Sequence, residues 1–162
     1  MVWLLSLLFV VVLAACGFGL VGYGFGAVAD GMAGLREPPA VLRGIAALAG
    51  ACAVVVYAWG LLHVVGALLE AEDGGTDSAP VRSCRTPGWE ARDISGYHVS
   101  FVPLGFVCET GDGGTYDNGD VPGYVNPAAA VFALAGAGGA VTAGYASERR
   151  ARSTQGPGDV QL

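Results

Sequence analysis

At 162 residues the chain has room for one soluble domain, but 53% of its residues are hydrophobic and only 14% charged, a balance that water-soluble folds do not reach. The net charge is −6, and Arg149, Arg150 and Arg152 form the only cationic cluster. That excludes a nucleic-acid surface, which needs grouped cations to displace counterions from phosphates.

The first element, residues 1–29, carries no formal charge from Val2 to Ala29, well over the roughly 20 apolar residues that cross a bilayer. Inside it, Leu13-Ala14-Ala15-Cys16 resembles a bacterial lipobox. A signal peptide, however, has a cationic start and a short apolar core, whereas this run begins Met1-Val2-Trp3 and continues beyond Cys16. A retained helix with a buried thiol is the expected outcome. Residues 30–43 follow as a short loop with Arg36 and Arg43.

A second uncharged run, residues 44–69, is interrupted only by His63. A titratable ring in such a run faces a helix interface or a wet cavity. Glu70, seven residues on and on the same face, is its expected partner, in a structural rather than a proton-relay role.

Residues 70–126 form a long polar loop. Glu70 to Pro80 reads as an acidic linker with Gly74-Gly75. Tyr97, Val99 and Phe101 then alternate with His98 and Ser100, a strand pattern that Pro103 interrupts. Asp112-Gly113 after the apolar run Leu104–Cys108 signals a tight hairpin whose two central residues take positive φ. Cys84 and Cys108 flank this region in polar surroundings, unlike Cys16 and Cys52 in apolar runs. A Cys84–Cys108 disulfide, closing a loop of about 25 residues and adding roughly 3 kcal/mol on the chain-entropy model, would hold a cap too small to hold itself.

The third span, residues 127–147, has a start signal in Asn126 as cap and Pro127 at the first helical position. Glu148 and the arginines end it, and residues 148–162 read as a disordered tail. The fold class is therefore mainly α and membrane-embedded, with three transmembrane helices and a small disulfide-linked β-hairpin cap, because in lipid a backbone needs internal hydrogen bonds. Residues 70–126 hold three arginines against ten carboxylates, a net −7. The short loop and the tail carry the other arginines. The positive-inside rule then places the N-terminus and cap outside and the C-terminus in the cytosol, as does the oxidising compartment the disulfide needs.

Small residues recur along two spans. Ala15, Gly19, Gly22 and Gly26 stripe the first, and Gly136, Ala140 and Gly144 the third, the small-xxx-small spacing that lets helix backbones approach in lipid. They serve either packing within the chain or a partner or second copy.

Chemistry has little to work with. Glu109, Asp112, Asp117 and Asp120 crowd the hairpin, but their spacing is that of solvated turn residues more than of a calcium loop. There is no Cys-x-x-Cys pair, so the cysteines read as a staple and not a redox couple. No nucleophile and base, metal set or cofactor motif stands out, and no enzymatic activity, metal or cofactor is expected.

The run Tyr97-x-Val99-x-Phe101-Val102-Pro103-Leu104-x-Phe106-x-Cys108, with Val121-Pro122-Gly123-Tyr124-Val125-Asn126-Pro127 entering a helix, resembles segments of uncharacterised small integral membrane proteins of actinobacteria. The resemblance covers about a fifth of the chain. It implies a structural cysteine pair and no transferable activity.

The functional expectation is a structural or accessory protein of the cell membrane, bound to the lipid bilayer and to another membrane protein or itself through the Gly/Ala faces. The alternative is an outward-facing module that senses or binds an ion or ligand. Tyr97, Phe101, Phe106 and Tyr116 discriminate: they line a pocket in the alternative and form a packed core or exposed patch otherwise.

Overall fold

The structure, a computed structural model, describes residues 2–72 and 80–154, with side chains from residue 11 on. Three helices, α1 (Val2–Met32), α2 (Pro38–Glu72) and α3 (Val125–Thr154), are long and apolar enough to cross a membrane. Between α2 and α3 lie two 3-10 turns, Arg82–Cys84 and Trp89–Ala91, and the strands β1 (Ile94–Phe101), β2 (Leu104–Thr110) and β3 (Thr115–Asp117). The strands form one antiparallel sheet in the order β1-β2-β3.

Every helix outruns its expected bounds. α1 continues past Asp30 until Gly34 takes φ 71°. There the N–H of Leu35 donates to the carbonyl of Asp30 (2.9 Å) and that of Gly34 to Gly31 (3.0 Å), the paired bonds of a Schellman end. α2 starts at Pro38 rather than residue 44, because Pro38 and Pro39 occupy first-turn positions where a missing N–H costs nothing. α3 runs to Thr154, so the first half of the expected disordered tail is helix; residues 155–162 lie outside the described residues, as does 73–79 of the expected linker.

The chain divides into two compact units, residues 1–55 with 129–162, and residues 56–128. In the first, the lower part of α2 contacts both other helices through small residues. On the α1 side, a Cβ at Gly24 would stand 2.6 Å from Leu48 and 2.9 Å from the carbonyl of Gly44, and one at Gly44 would stand 2.7 Å from Ala27. On the α3 side, a Cβ at Gly136 would stand 3.1 Å from the backbone of Ala46 and Gly50. At the lower end Arg43 donates to Ser147 (2.9 Å) and Arg150 pairs with Glu37, so the loop and tail arginines do share one end of the helices.

The second unit joins the upper part of α2, the sheet and the first turn of α3. Val64, Leu104, Val121 and Val125 form one buried cluster, and Ala67, Cys84, Phe106 and Cys108 another. The expected second span therefore includes a stretch, residues 56–69, that belongs structurally to the cap. An uncharged run fixes hydrophobicity but not what covers it, and here protein covers one face of the upper half.

Candidate interaction surfaces

The core of the cap is built on the disulfide. Cys84 and Cys108 are bonded, with Cα atoms 5.9 Å apart, and both are fully buried. Phe106, on the same face of β2, is 0% exposed and stacks on Tyr97 with centroids 5.0 Å apart. Tyr116 donates its hydroxyl to the carbonyl of Cys84 (2.6 Å) while Arg92 lies 4.3 Å over its ring. Three of the four aromatic side chains that were candidates for a pocket lining are thus in or against this core. The fourth, Phe101, is 60% exposed.

The β1–β2 turn is Phe101-Val102-Pro103-Leu104 with a cis Val102–Pro103 peptide. Pro103, expected to break the ladder, sits in this reversal, where its lost donor is harmless. Two helices satisfy the backbone beside it. Tyr57 of α2 donates its hydroxyl to the carbonyl of Phe101 (2.9 Å). Asn126 accepts from the N–H of Leu104 (2.8 Å) and donates to its carbonyl (2.9 Å). Asn126 is therefore no cap of its own helix. Its amide covers the same edge of β2 that β3 covers at Cys108 and Asn118 at Phe106. Gly60 makes room for this contact, since a Cβ there would stand 2.6 Å from Val125 and 2.7 Å from Leu104.

The Gly111–Gly114 hairpin forms where expected but with a three-residue connection: Gly113 donates to the carbonyl of Thr110 and Thr110 to that of Gly114. Only Gly113 takes positive φ, 84°, as in a type I turn with a following bulge. Asp112 accepts from the Thr110 hydroxyl and the Gly114 N–H (3.0 Å). These bonds, the hydroxyl first, hold its carboxyl below the usual aspartate range. The other acidic residues are likewise engaged locally: Glu109 with His98 (2.7 Å), Asp117 with the N–H of Gly119, and Asp120 with Asn118. No group of three His, Cys, Asp or Glu that could hold a metal ion occurs among the described residues.

His63 does not pair with Glu70. Its Nε2 is buried without a hydrogen-bond partner, and its ring meets Trp59 edge-on at 5.1 Å. His63, Glu70 and Asp120, with Leu62, Gly66 and Ala67, line an open cavity of about 290 Å³.

The helix stripes divide. Gly136 is in the contact with α2, beside Gly139 and the fully buried Ala143, whereas Ala140 is exposed and a Cβ at Gly144 would meet nothing within 4 Å. On α1 the chain's own contact uses Gly24, Ala27 and Gly31. Ala15, Gly19, Gly22 and Gly26 lie on an exposed face, where a Cβ at any of the three glycines would meet nothing. Cys16, expected to be buried, is exposed, as is Cys52, and α1 runs unbroken through Leu13–Cys16.

Sequence reading missed Tyr57, Gly60 and the role of Asn126. Their signal was there: a hydroxyl in the middle of an uncharged run, and an amide where the loop enters a helix, both calling for a polar partner. These features define a protein with three helices suited to a membrane and a disulfide-stapled β cap folded onto one of them. Neither a protein-family model, nor a curated protein, nor a solved structure matches the chain.

Proposed function

We propose that this chain is a non-catalytic accessory protein of the cell membrane, its three helices spanning the bilayer and its exposed α1 stripe seating a helix of another membrane protein. The observation that carries this reading is that α1 has two small-residue faces and the described residues of the chain pack against only one. Gly24, Ala27 and Gly31 meet α2, while Gly19, Gly22 and Gly26 offer close backbone approach to a helix from elsewhere. The packed Tyr97, Phe106 and Tyr116 also favour it, since they support the cap's own fold.

The cap faces outward in this reading, where its disulfide persists, and the shared end with Arg36, Arg43, Arg149, Arg150 and Arg152 faces the cytosol. Affinity purification in mild detergent, followed by mass spectrometry, tests it. A stoichiometric membrane partner that is lost from a Gly22→Ile/Gly26→Ile variant is expected. Equal recovery with both proteins sinks the docking role, and a self-associated species abolished by the variant replaces the foreign partner with a second copy.

The second reading, an outward-facing binding module, draws on the His63–Glu70–Asp120 cavity, whose carboxylates suit a small organic cation rather than a metal ion. Thermal shifts with small amines test it; a flat response discards it.

A further inference from the structure

We propose that the β1–β2 turn, Phe101-Val102-Pro103, is a lipid-embedded wedge, so that the cap enters the bilayer rather than resting above it. This rests on the reading that α2 spans the membrane.

The depth follows from α2 alone. Its uncharged stretch is bounded by Arg43 and Glu70, which are roughly 40 Å apart at 1.5 Å per residue. Tyr57 stands about 21 Å above Arg43 on the same count. A hydrocarbon core is about 30 Å thick, so every placement that keeps both charges out of it contains Tyr57. The shallowest puts this residue roughly 9 Å inside the outer boundary and the deepest roughly 19 Å. Helical side chains tilt toward the helix N-terminus, here the lower end, so the Tyr57 hydroxyl does not reach outward. The Phe101 carbonyl lies 2.9 Å from that hydroxyl and shares its depth.

The chemistry of the turn suits hydrocarbon. Val99 to Val107 contains no charge. Val102 is 90% exposed and Phe101 60%, with nothing among the described residues to cover them. Backbone in lipid is tolerated where its polar groups find protein partners, and the groups flanking Val102 do so in part. The Phe101 carbonyl accepts from Tyr57 and Leu104 bonds twice to Asn126, while Ser100 donates to the carbonyl of Pro103 (2.6 Å) and Pro103 has no N–H; the N–H and carbonyl of Val102 have no partner among the described residues. The charged end of the sheet, at Asp112, is the opposite one.

The test uses the full chain in lipid nanodiscs, with a solvent-sensitive fluorophore on one cysteine at a time. Natural Cys52, exposed on α2, is labelled in a Cys16→Ala background, and Val102→Cys and Gly113→Cys in Cys16→Ala/Cys52→Ala. Quenching by nitroxide-bearing lipid at Cys52 and at 102, with iodide several-fold less effective at 102 than at 113, is the expected result. Lipid quenching at Cys52 but iodide access at 102 equal to that at 113 overturns the wedge and leaves the spanning helices intact. Absence of lipid quenching at Cys52 overturns both. The unsubstituted protein gives a second measurement that needs no variant at the turn. Photoactivated diazirine lipid should label the peptide containing Phe101–Pro103 and not the one containing Asp112–Thr115; labelling of the second alone sinks the proposal.

Discussion

Replacing Asn126 by Ala should destabilise the cap far more than loss of a single part-buried amide would ordinarily suggest. Leu104 is 1% exposed, and its N–H and carbonyl both bond to the Asn126 side chain at 2.8 and 2.9 Å. Truncation leaves both groups buried without a partner, at about 1–3 kcal/mol each, or roughly 2–6 kcal/mol together. Asn126→Asp keeps an acceptor for the N–H but sets oxygen against the Leu104 carbonyl, so it should not rescue. Asn118→Ala, which removes two exposed side-chain bonds to Asp120 and leaves no buried group unpaired, should cost about 1 kcal/mol or less and serves as the control. The assay is reversible unfolding of the detergent-solubilised protein by SDS titration, read by near-ultraviolet circular dichroism, with hydrogen exchange at the Leu104 amide. A loss below about 1 kcal/mol with unchanged protection at that amide refutes the clamp.

The two faces of α1 should respond differently to one methyl group. Gly24→Ala drives a Cβ to 2.6 Å from Leu48 and should lower stability by about 1–3 kcal/mol, whereas Gly22→Ala should be neutral or slightly stabilising through helix propensity. The same SDS titration separates them. Cys84→Ser/Cys108→Ser frees a loop with a sequence separation of 24 and should cost the cap roughly 3 kcal/mol, visible as loss of cap protection in hydrogen exchange while the lower helix contacts stay protected. At Asp112 the folded state favours the ionised form. The hairpin's stabilisation is therefore complete above the ordinary aspartate range and fades as pH falls through the depressed folded value. Carboxyl NMR should show a midpoint below that of an ordinary aspartate, and Thr110→Val should raise it.

What the sequence made legible was whatever a local signal decides. Charge-free length announces three helices, Asp112-Gly113 announces a hairpin, and two cysteines in a polar stretch announce their bridge. What it left open was decided across the chain. A glycine-rich helix presents small residues on more than one face, so spacing singles out Gly19, Gly22 and Gly26 as readily as Gly24, Ala27 and Gly31, and only the side chains of α2 choose. Asn126 beside Pro127 satisfies every local rule for a cap. Its amide goes to Leu104 instead, because β2 brings an unpaired edge within reach. The upper half of α2 reads as lipid-facing for a similar reason: hydropathy does not distinguish burial under protein from burial in lipid.

The narrow seat at Gly60 has a consequence for how the chain is made. Its neighbours Leu104, Val121 and Val125 leave the ribosome 44 to 65 residues after it, which at 5–20 residues per second is a delay of up to roughly 3–13 s. Throughout that interval the upper part of α2 is present without the segment that will cover it. Two nascent chains side by side offer each other the same missing piece, so exchange of caps between neighbours is the characteristic assembly error this topology invites, and crowded synthesis is where it should first be seen.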